Sequence, residues 1–309
     1  MNAPLAKARN IVSQHGARGI LLGTQYLRRQ GLIRIGKRLN YGIQPYNRDW
    51  DVLIVLDACR HDLFEEFAPE HPVYERFQSV EPVYSCASAS KEWLRKAFKS
   101  VRNDILSGTH YITANGWAET ELDKNQFGTI EHVWRWAHDP ELGTVPPEPV
   151  TDQAILTYRE RNPNHLIVHY MQPHAPFIHA SGKYQSTNEV PGEGNSQNVW
   201  KGVQQRDFDA NDVWADYGKN LLTVLDDVET IIQNVTGIVA VTADHGNAIG
   251  EWGIYGHPGY VPAPTLKRVP WAIARGGGSR TYEPGATPDS EDRSMENNKK
   301  DHLEDLGYI

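Results

Sequence analysis

The chain has 309 residues, 39% hydrophobic and 10% aromatic, enough to bury one large α/β core with appendages. Two cysteines, Cys59 and Cys86, exclude a disulfide framework, and no basic-apolar-small leader opens the sequence. On those two grounds the expected address is cytoplasmic, and the longest apolar runs, such as 20–22 and Val52–Leu56, fall far short of the roughly 20 residues of a membrane-spanning helix.

The net charge of -8 is unevenly placed: nine of the 31 basic residues and none of the 39 acidic ones lie in 1–48, leaving 22 against 39 in the remainder. This basic arm interleaves Ile20, Leu21, Leu22, Tyr26, Leu27, Leu32, Ile33, Ile35 and Leu39 with Arg28, Arg29, Arg34, Lys37 and Arg38. Two readings follow: peripheral contact with an anionic lipid surface at the inner membrane face, or packing on the acidic body. Glycines at 19, 23, 31 and 36 argue against one continuous helix. Nucleic acid is not an expected partner, because no binding motif is present and the body is acidic.

After the arm, residues 50–57 read as a strand buried on both faces and ending in a carboxylate, Asp57. Further strands are expected at 111–114, 165–170, 237–242 and 271–274, with helices at 91–99, 152–161 and 212–234. The alternation predicts an α/β fold whose ligands gather at the carboxyl ends of parallel strands. Residues 181–198 read as a loop over the site and 276–300 as part of a mobile tail. The expected organisation is an arm at 1–48, a catalytic domain at 49–275 and a tail at 276–309.

Asp244-His245-Gly246 directly follows a buried strand, and a hard oxygen beside an imidazole nitrogen suits zinc, manganese or iron; a structural hydrogen-bonded pair is the bland alternative. Asp57 ends another apolar strand, where a carboxylate needs a compensating cation or hydrogen bonds. His257, in a Gly-rich loop twelve residues past His245, can reach the same site or remain a surface histidine. Prolines on both sides aim His174, whereas His169 lies inside a strand and reads as a satisfied core histidine. A nucleophile is expected at a helix amino end, where the dipole favours an anion, and the segment 85–94 offers Cys86, Ser88 and Ser90; serine is also a common cap without catalytic role.

Together these stretches resemble the alkaline phosphatase superfamily, especially its sulfatase-like and lipoteichoic-acid-synthase-like branches. Asp57-Ala58-Cys59-Arg60-His61-Asp62 looks like the first metal motif, 85–94 like the nucleophile segment, Met171-Gln172-Pro173-His174-Ala175-Pro176 like the middle histidine motif, and Asp244-His245-Gly246 with Tyr255-Gly256-His257 like the most diagnostic metal stretch. Residues 269–271 and 306–308 look like family endings. The resemblance spans roughly residues 50 to 309 and implies a three-layer α/β/α sandwich with a central, mostly parallel, alkaline phosphatase-like sheet. It further implies a divalent transition metal, manganese or zinc, on Asp57, Asp244, His245 and His257. One site is firm and a second optional, with His174 and Arg60 on substrate. Ser88 aligns with the reactive threonine of the lipoteichoic-acid-synthase-like segment and is the first choice of nucleophile, with Ser90 next and Cys86 third.

Departures from the family narrow the expectation. The segment after Cys86 lacks the proline and arginine of formylglycine sulfatases, and Ala58 and His245 replace residues common in calcium sulfatases. Gln172 stands near where two-metal members place an aspartate. The expected activity is hydrolysis or transfer of a phosphate ester, of phosphodiester or phosphoglycerol type, through a covalent phosphoserine. The expected substrate is a phosphate or sulfate ester, with polysaccharide- or lipid-linked esters as candidates. Alternatives are a sulfatase acting on sulfated sugars and an inactive relative that binds anionic glycans or lipids.

Overall fold

The computed structural model describes residues 3–39, 41–184 and 195–285. Strands β1 (Val52–Leu56), β2 (Phe77–Tyr84), β3 (Thr109–Thr113), β4 (Thr129–His132), β5 (His165–Tyr170), β6 (Ile238–Thr242) and β9 (Arg268–Arg275) form one sheet in the order β2-β9-β6-β1-β5-β3-β4. A separate two-stranded ribbon joins β7 (Ala248–Ile249) to β8 (Tyr255–Gly256). Five neighbours, β6-β1-β5-β3-β4, run parallel; β9 is antiparallel to both β6 and β2. The helices are α1 (Ala3–Arg38), α2 (His61–Phe67), α3 (Ser90–Ala97), α4 (Asn103–Leu106), α5 (Trp117–Glu121), α6 (Trp134–Ala137), α7 (Pro147–Arg161), α8 (Asn195–Gln205), α9 (Ala210–Asn234) and α10 (Pro264–Lys267).

The central strands are apolar throughout because both faces are covered: every residue of β1 is fully buried. Side-chain alternation sorts the layers. Tyr170 of β5 points to one face, where its hydroxyl meets Thr151 of α7, and α7, α9 and α2 pack together. His169 points to the other face, against the edge of Trp93 on α3, and α3 packs with α5. Sheet register pairs Val55 with both His169 and Thr242. Asp57, two residues beyond Val55, and Asp244, two beyond Thr242, therefore leave the sheet on the α3 side. The result is the expected three-layer α/β/α sandwich with a mostly parallel sheet.

The expected strands at 165–170 and 237–242 are found nearly to the residue, whereas β2 and β4 were not expected. Both are edge strands, and β2 is largely exposed and carries Pro82, so neither shows the buried apolar run that marks the centre. Of the expected loop at 181–198, residues 185–194 lie outside the described residues and 195–198 begin α8. Of the tail expected from Gly276, residues 276–285 are held by hydrogen bonds, including Tyr282 Oη to Asp152 Oδ1 at 2.7 Å; 286–309, with the family-like ending at 306–308, lie outside the described residues.

Helix α1 breaks at Gly16, whose φ of 55° and ψ of -134° reverse the chain. The two arms form a hairpin: a Cβ at Gly19 would fall 2.7 Å from the Ile11 carbonyl oxygen. The longer arm docks on the body. Leu32 and Ile33 pack against Ala248, Ile254, Val261, Ala263 and Leu266, and Gly36 sits so close to Tyr260 that a Cβ there would lie 1.9 Å from its carbonyl oxygen. Packing on the body is thus the disposition of the arm's inner face, while Ile20, Ile35 and Leu39 and the cations Arg28, Arg29, Arg34 and Arg38 are exposed. Among the described residues no helix is long and apolar enough to cross a membrane.

Candidate metal centre and nucleophile

Asp57, Asp244 and His245 meet at the carboxyl ends of β1 and β6, all buried, with one ligand atom from each lying within 4.8 Å of the others. His245 Nε2 is 3.6 Å from Asp57 Oδ1 and 3.5 Å from Asp244 Oδ2. Those two oxygens are buried without a hydrogen-bond partner. The other oxygen of each carboxylate is occupied: Asp57 Oδ2 accepts from Asn115 Nδ2 at 2.8 Å, and Asp244 Oδ1 from Ala58 N at 3.1 Å and His245 N at 2.8 Å. Ala58 holds a left-handed φ of 61°, and Tyr217 Oη donates to its carbonyl.

His245 Nδ1 faces the Gly246 carbonyl at 2.8 Å, which assigns the proton to Nδ1 and leaves the Nε2 lone pair turned to the carboxylates. Burial, then the neighbouring Asp244 charge, pushes the Asp57 carboxyl well above its ordinary range; the bonds from Asn115 and Ser90 act the other way. Two orphaned buried carboxylate oxygens and an oriented imidazole nitrogen fit a divalent cation, and the oxygen-oxygen-nitrogen donor set suits zinc or manganese.

Ser90 opens α3, after Ala89 in extended conformation, so its hydroxyl stands at the helix amino end. Its Oγ is 3.0 Å from His245 Nε2 and 3.3 Å from Asp57 Oδ2. Ser88, the first choice from sequence, faces elsewhere: its Oγ lies 3.1 Å from Glu92 Oε2 and 3.0 Å from the Pro258 carbonyl, and accepts from Val261 N at 3.0 Å. Cys86 is buried, with its thiol pushed up to about 12 by burial.

His257 lies outside the three-residue cluster. Its ring stacks on His245 at 4.6 Å, and its Nε2 is 2.9 Å from His174 Nε2. His174 Nδ1 faces the Ala175 carbonyl, so the shared proton belongs to His257 Nε2 and the His257 Nδ1 lone pair is unpartnered. Burial, then His245, drives His174 down to about 4; burial, then His245 and His174, holds His257 well below its ordinary value. Both rings are therefore neutral near pH 7.

Arg60 was expected on substrate, but its guanidinium is engaged within the protein. Nε and Nη2 pair with Asp62, and Nη1 donates to Glu251 Oε1 at 2.5 Å and to the Asn247 carbonyl at 3.0 Å, with the group stacked 4.9 Å over Trp214. It braces the loop after β6 against the turn after β1.

Two residues at this site escaped the sequence reading. Asn115, at the end of β3, fixes which Asp57 oxygen is free; its side-chain oxygen accepts from Trp117 N, and its own N–H is held by Thr113 Oγ1. His169 is not fully satisfied: Nδ1 meets Tyr111 Oη at 2.7 Å, while Nε2 has no hydrogen-bond partner, 3.9 Å from Asp57 Oδ2 and 3.8 Å from Asp244 Oδ2. Strand register, which pairs His169 with both Val55 and Thr113, is the signal that places His169 on the same face as Asp57 and Asn115, each two residues further along its chain.

No family profile matches the sequence, and no curated protein is significantly similar to it. Solved structures do match. A 2-O GAG sulfatase is similar over 72% of this chain and 63% of its own, at 12% identity and a TM-score of 0.50. The integral membrane lipooligosaccharide phosphoethanolamine transferase A from Neisseria meningitidis is similar over 75% of this chain and 48% of its own, at 14% identity and a TM-score of 0.48. Its soluble domain is similar over 74% and 77%, at 14% identity and a TM-score of 0.47. The chain thus spans about half of that membrane enzyme and under two thirds of the sulfatase.

Proposed function

We propose that this chain, which has the alkaline phosphatase and sulfatase-like fold, is a metal-dependent hydrolase or transferase of a phosphate ester with Ser90 as nucleophile. The observation that carries this reading is the Ser90 hydroxyl at the amino end of α3, within 3.0 Å of His245 Nε2 and 3.3 Å of Asp57 Oδ2. Asp57, Asp244 and His245 would hold a divalent cation, zinc or manganese, which when bound lowers the pKa of a nearby hydroxyl and neutralises developing charge. Ser90 Oγ attacks phosphorus in line, the Oγ–P bond forms and the bond to the departing oxygen breaks. The proton that Ser90 releases is matched by the one the departing oxygen takes up. Amides of the first α3 turn favour the anion at Ser90. In the neutral His174–His257 pair both ring protons are already committed, to the Ala175 carbonyl and to His174 Nε2, so the pair offers the unpartnered His257 Nδ1 lone pair as an acceptor beside the cluster. Water or an acceptor hydroxyl then cleaves the phosphoserine, and the two acceptors separate hydrolase from transferase.

Cation-reconstituted protein, assayed side by side on a model phosphate monoester, phosphate diester and sulfate ester, tests the reaction class. A trapped phosphoryl adduct mapped by mass spectrometry tests the nucleophile. An adduct on Ser88 or Cys86, or turnover of the sulfate ester alone, overturns the reading. The exposed outer face of α1, with Arg28, Arg29, Arg34 and Arg38 beside Ile20, Ile35 and Leu39, supports peripheral contact with an anionic lipid surface and, with it, a lipid- or polysaccharide-linked substrate.

A further inference from the structure

Ser88 and Glu92 are buried polar side chains outside the metal cluster, and both are fully engaged. Glu92 Oε2 gathers three donors: Ser88 N at 3.1 Å, Ser88 Oγ at 3.1 Å and Tyr260 N at 2.7 Å. Its other oxygen pairs with Lys96. Ser88 Oγ has one proton, directed to Glu92 or to the Pro258 carbonyl, and it accepts from Val261 N. Two side chains of the nucleophile segment thus bind the backbone of residues 258–261, the stretch that immediately follows His257. Bonds to a buried carboxylate are charge-assisted and geometrically demanding.

The stretch they hold is itself constrained. Tyr260 has a left-handed φ of 63°, a conformation that a non-glycine residue keeps only where its surroundings enforce it. Its N–H is fixed by Glu92, and its carbonyl abuts Gly36 of the docked arm. The arm, the His257 loop and the α3 turn therefore meet at one residue.

We propose that Ser88 and Glu92 are positioning residues that set the separation between the Ser90 hydroxyl and the His257–His174 pair, with Gly36 of the arm as their buttress. The proposal rests on the reading of Ser90 as nucleophile. It assigns Ser88 a task other than attack: its hydroxyl is used up in registering one reacting segment on the other. Misplacement of reacting groups by about 1 Å is enough to lower turnover by roughly 10²-fold.

The test compares wild-type protein with Ser88→Ala, Glu92→Gln and Ser90→Ala on one phosphate diester. It reads kcat, KM, bound zinc by elemental analysis and the site of the phosphoryl adduct. Expected for Ser88→Ala is a kcat lower by roughly 30- to 100-fold, with KM within about twofold, zinc retained and the adduct still on Ser90. Glu92→Gln keeps the shape and loses the charge, and should lose about tenfold in kcat with the same KM. Wild-type kcat in both variants, or zinc lost in step with kcat, overturns the proposal while leaving Ser90 in place. No adduct on Ser90 in the wild type, or an adduct on Ser88, instead overturns the nucleophile reading, and the proposal falls with it.

Discussion

Replacing Asp227 by asparagine should stabilise the protein at neutral pH, and the structure sets the size and pH window of the gain. Asp227, on α9, accepts from Thr151 Oγ1 at 2.5 Å, and Thr151 meets Tyr170 Oη at 2.6 Å on the face of β5 opposite His169. Burial pushes its carboxyl up to about 6, the Thr151 bond acts against this, and Glu148, Asp226 and Asp152 add like charge. The folded state thus holds the Asp227 proton more tightly than the unfolded chain, whose ordinary value is 3.8. Below both values there is no penalty. As pH rises between them folding stability is lost, and above the folded value the loss is constant. Two pH units between the values, at about 1.36 kcal/mol each, make the full penalty about 3 kcal/mol. Asparagine keeps an oxygen for Thr151 and never ionises. Urea unfolding followed by circular dichroism should show Asp227→Asn more stable than wild type by about 1 kcal/mol at pH 4.5 and about 3 kcal/mol at pH 7.5, the other carboxylates cancelling in the difference. A difference that does not grow with pH, or a less stable variant at pH 7.5, refutes the reasoning.

Asp244→Ala should strip bound zinc or manganese as read by elemental analysis, and Asn115→Ala, which removes the donor that turns Asp57, should weaken affinity by about 10- to 100-fold in a cation titration; undiminished binding in either would remove that residue from the site. Arg60→Ala leaves the paired Asp62 and Glu251 without their cation and should cost on the order of 3 kcal/mol in unfolding free energy. Those side chains are 54% and 35% exposed, which holds the loss to the lower end of the range for buried pairs. An unfolding midpoint equal to wild type, with KM raised instead, would return Arg60 to a substrate role. For the arm, Arg28→Glu with Arg29→Glu should abolish low-salt co-sedimentation with anionic vesicles, and equal binding by wild type and variant would end the lipid-surface reading.

What the sequence discloses here follows burial. β5 and β6 were bounded nearly to the residue because a strand covered on both faces must be apolar throughout, and Asp57, Asp244 and His245 stood out as the polar residues that interrupt or end such runs. β2 and β4 gave no comparable signal, since an edge strand shares its composition with a loop. The choice between Ser88 and Ser90 depends on where α3 starts. Two residues of helix turn a side chain by about 200°, so a start at Ser90 rather than Ser88 exchanges the serine that faces His245. His169 was masked by its own setting, because an imidazole inside an apolar strand looks like a packed core residue until register places it beside Asp57. Asn115 was hidden differently: Asn115-Gly116 reads as a turn, and nothing local indicates that its amide reaches a carboxylate 58 residues away in sequence.

The order β6-β1-β5-β3 places Asp244 with His245, Asp57, His169 and Asn115 at the ends of four successive rungs, so the spacing of the chemistry is inherited from main-chain pairing at about 4.8 Å per strand. Such a gauge is indifferent to most side-chain identity. Substitutions in the helical layers can accumulate without stretching or shrinking it, whereas a one-residue slip of β1 against β5 or β6 would turn Asp57 to the opposite layer and abolish the centre outright. The part of this protein least free to vary is therefore a hydrogen-bond register, which leaves almost no trace in pairwise residue identity.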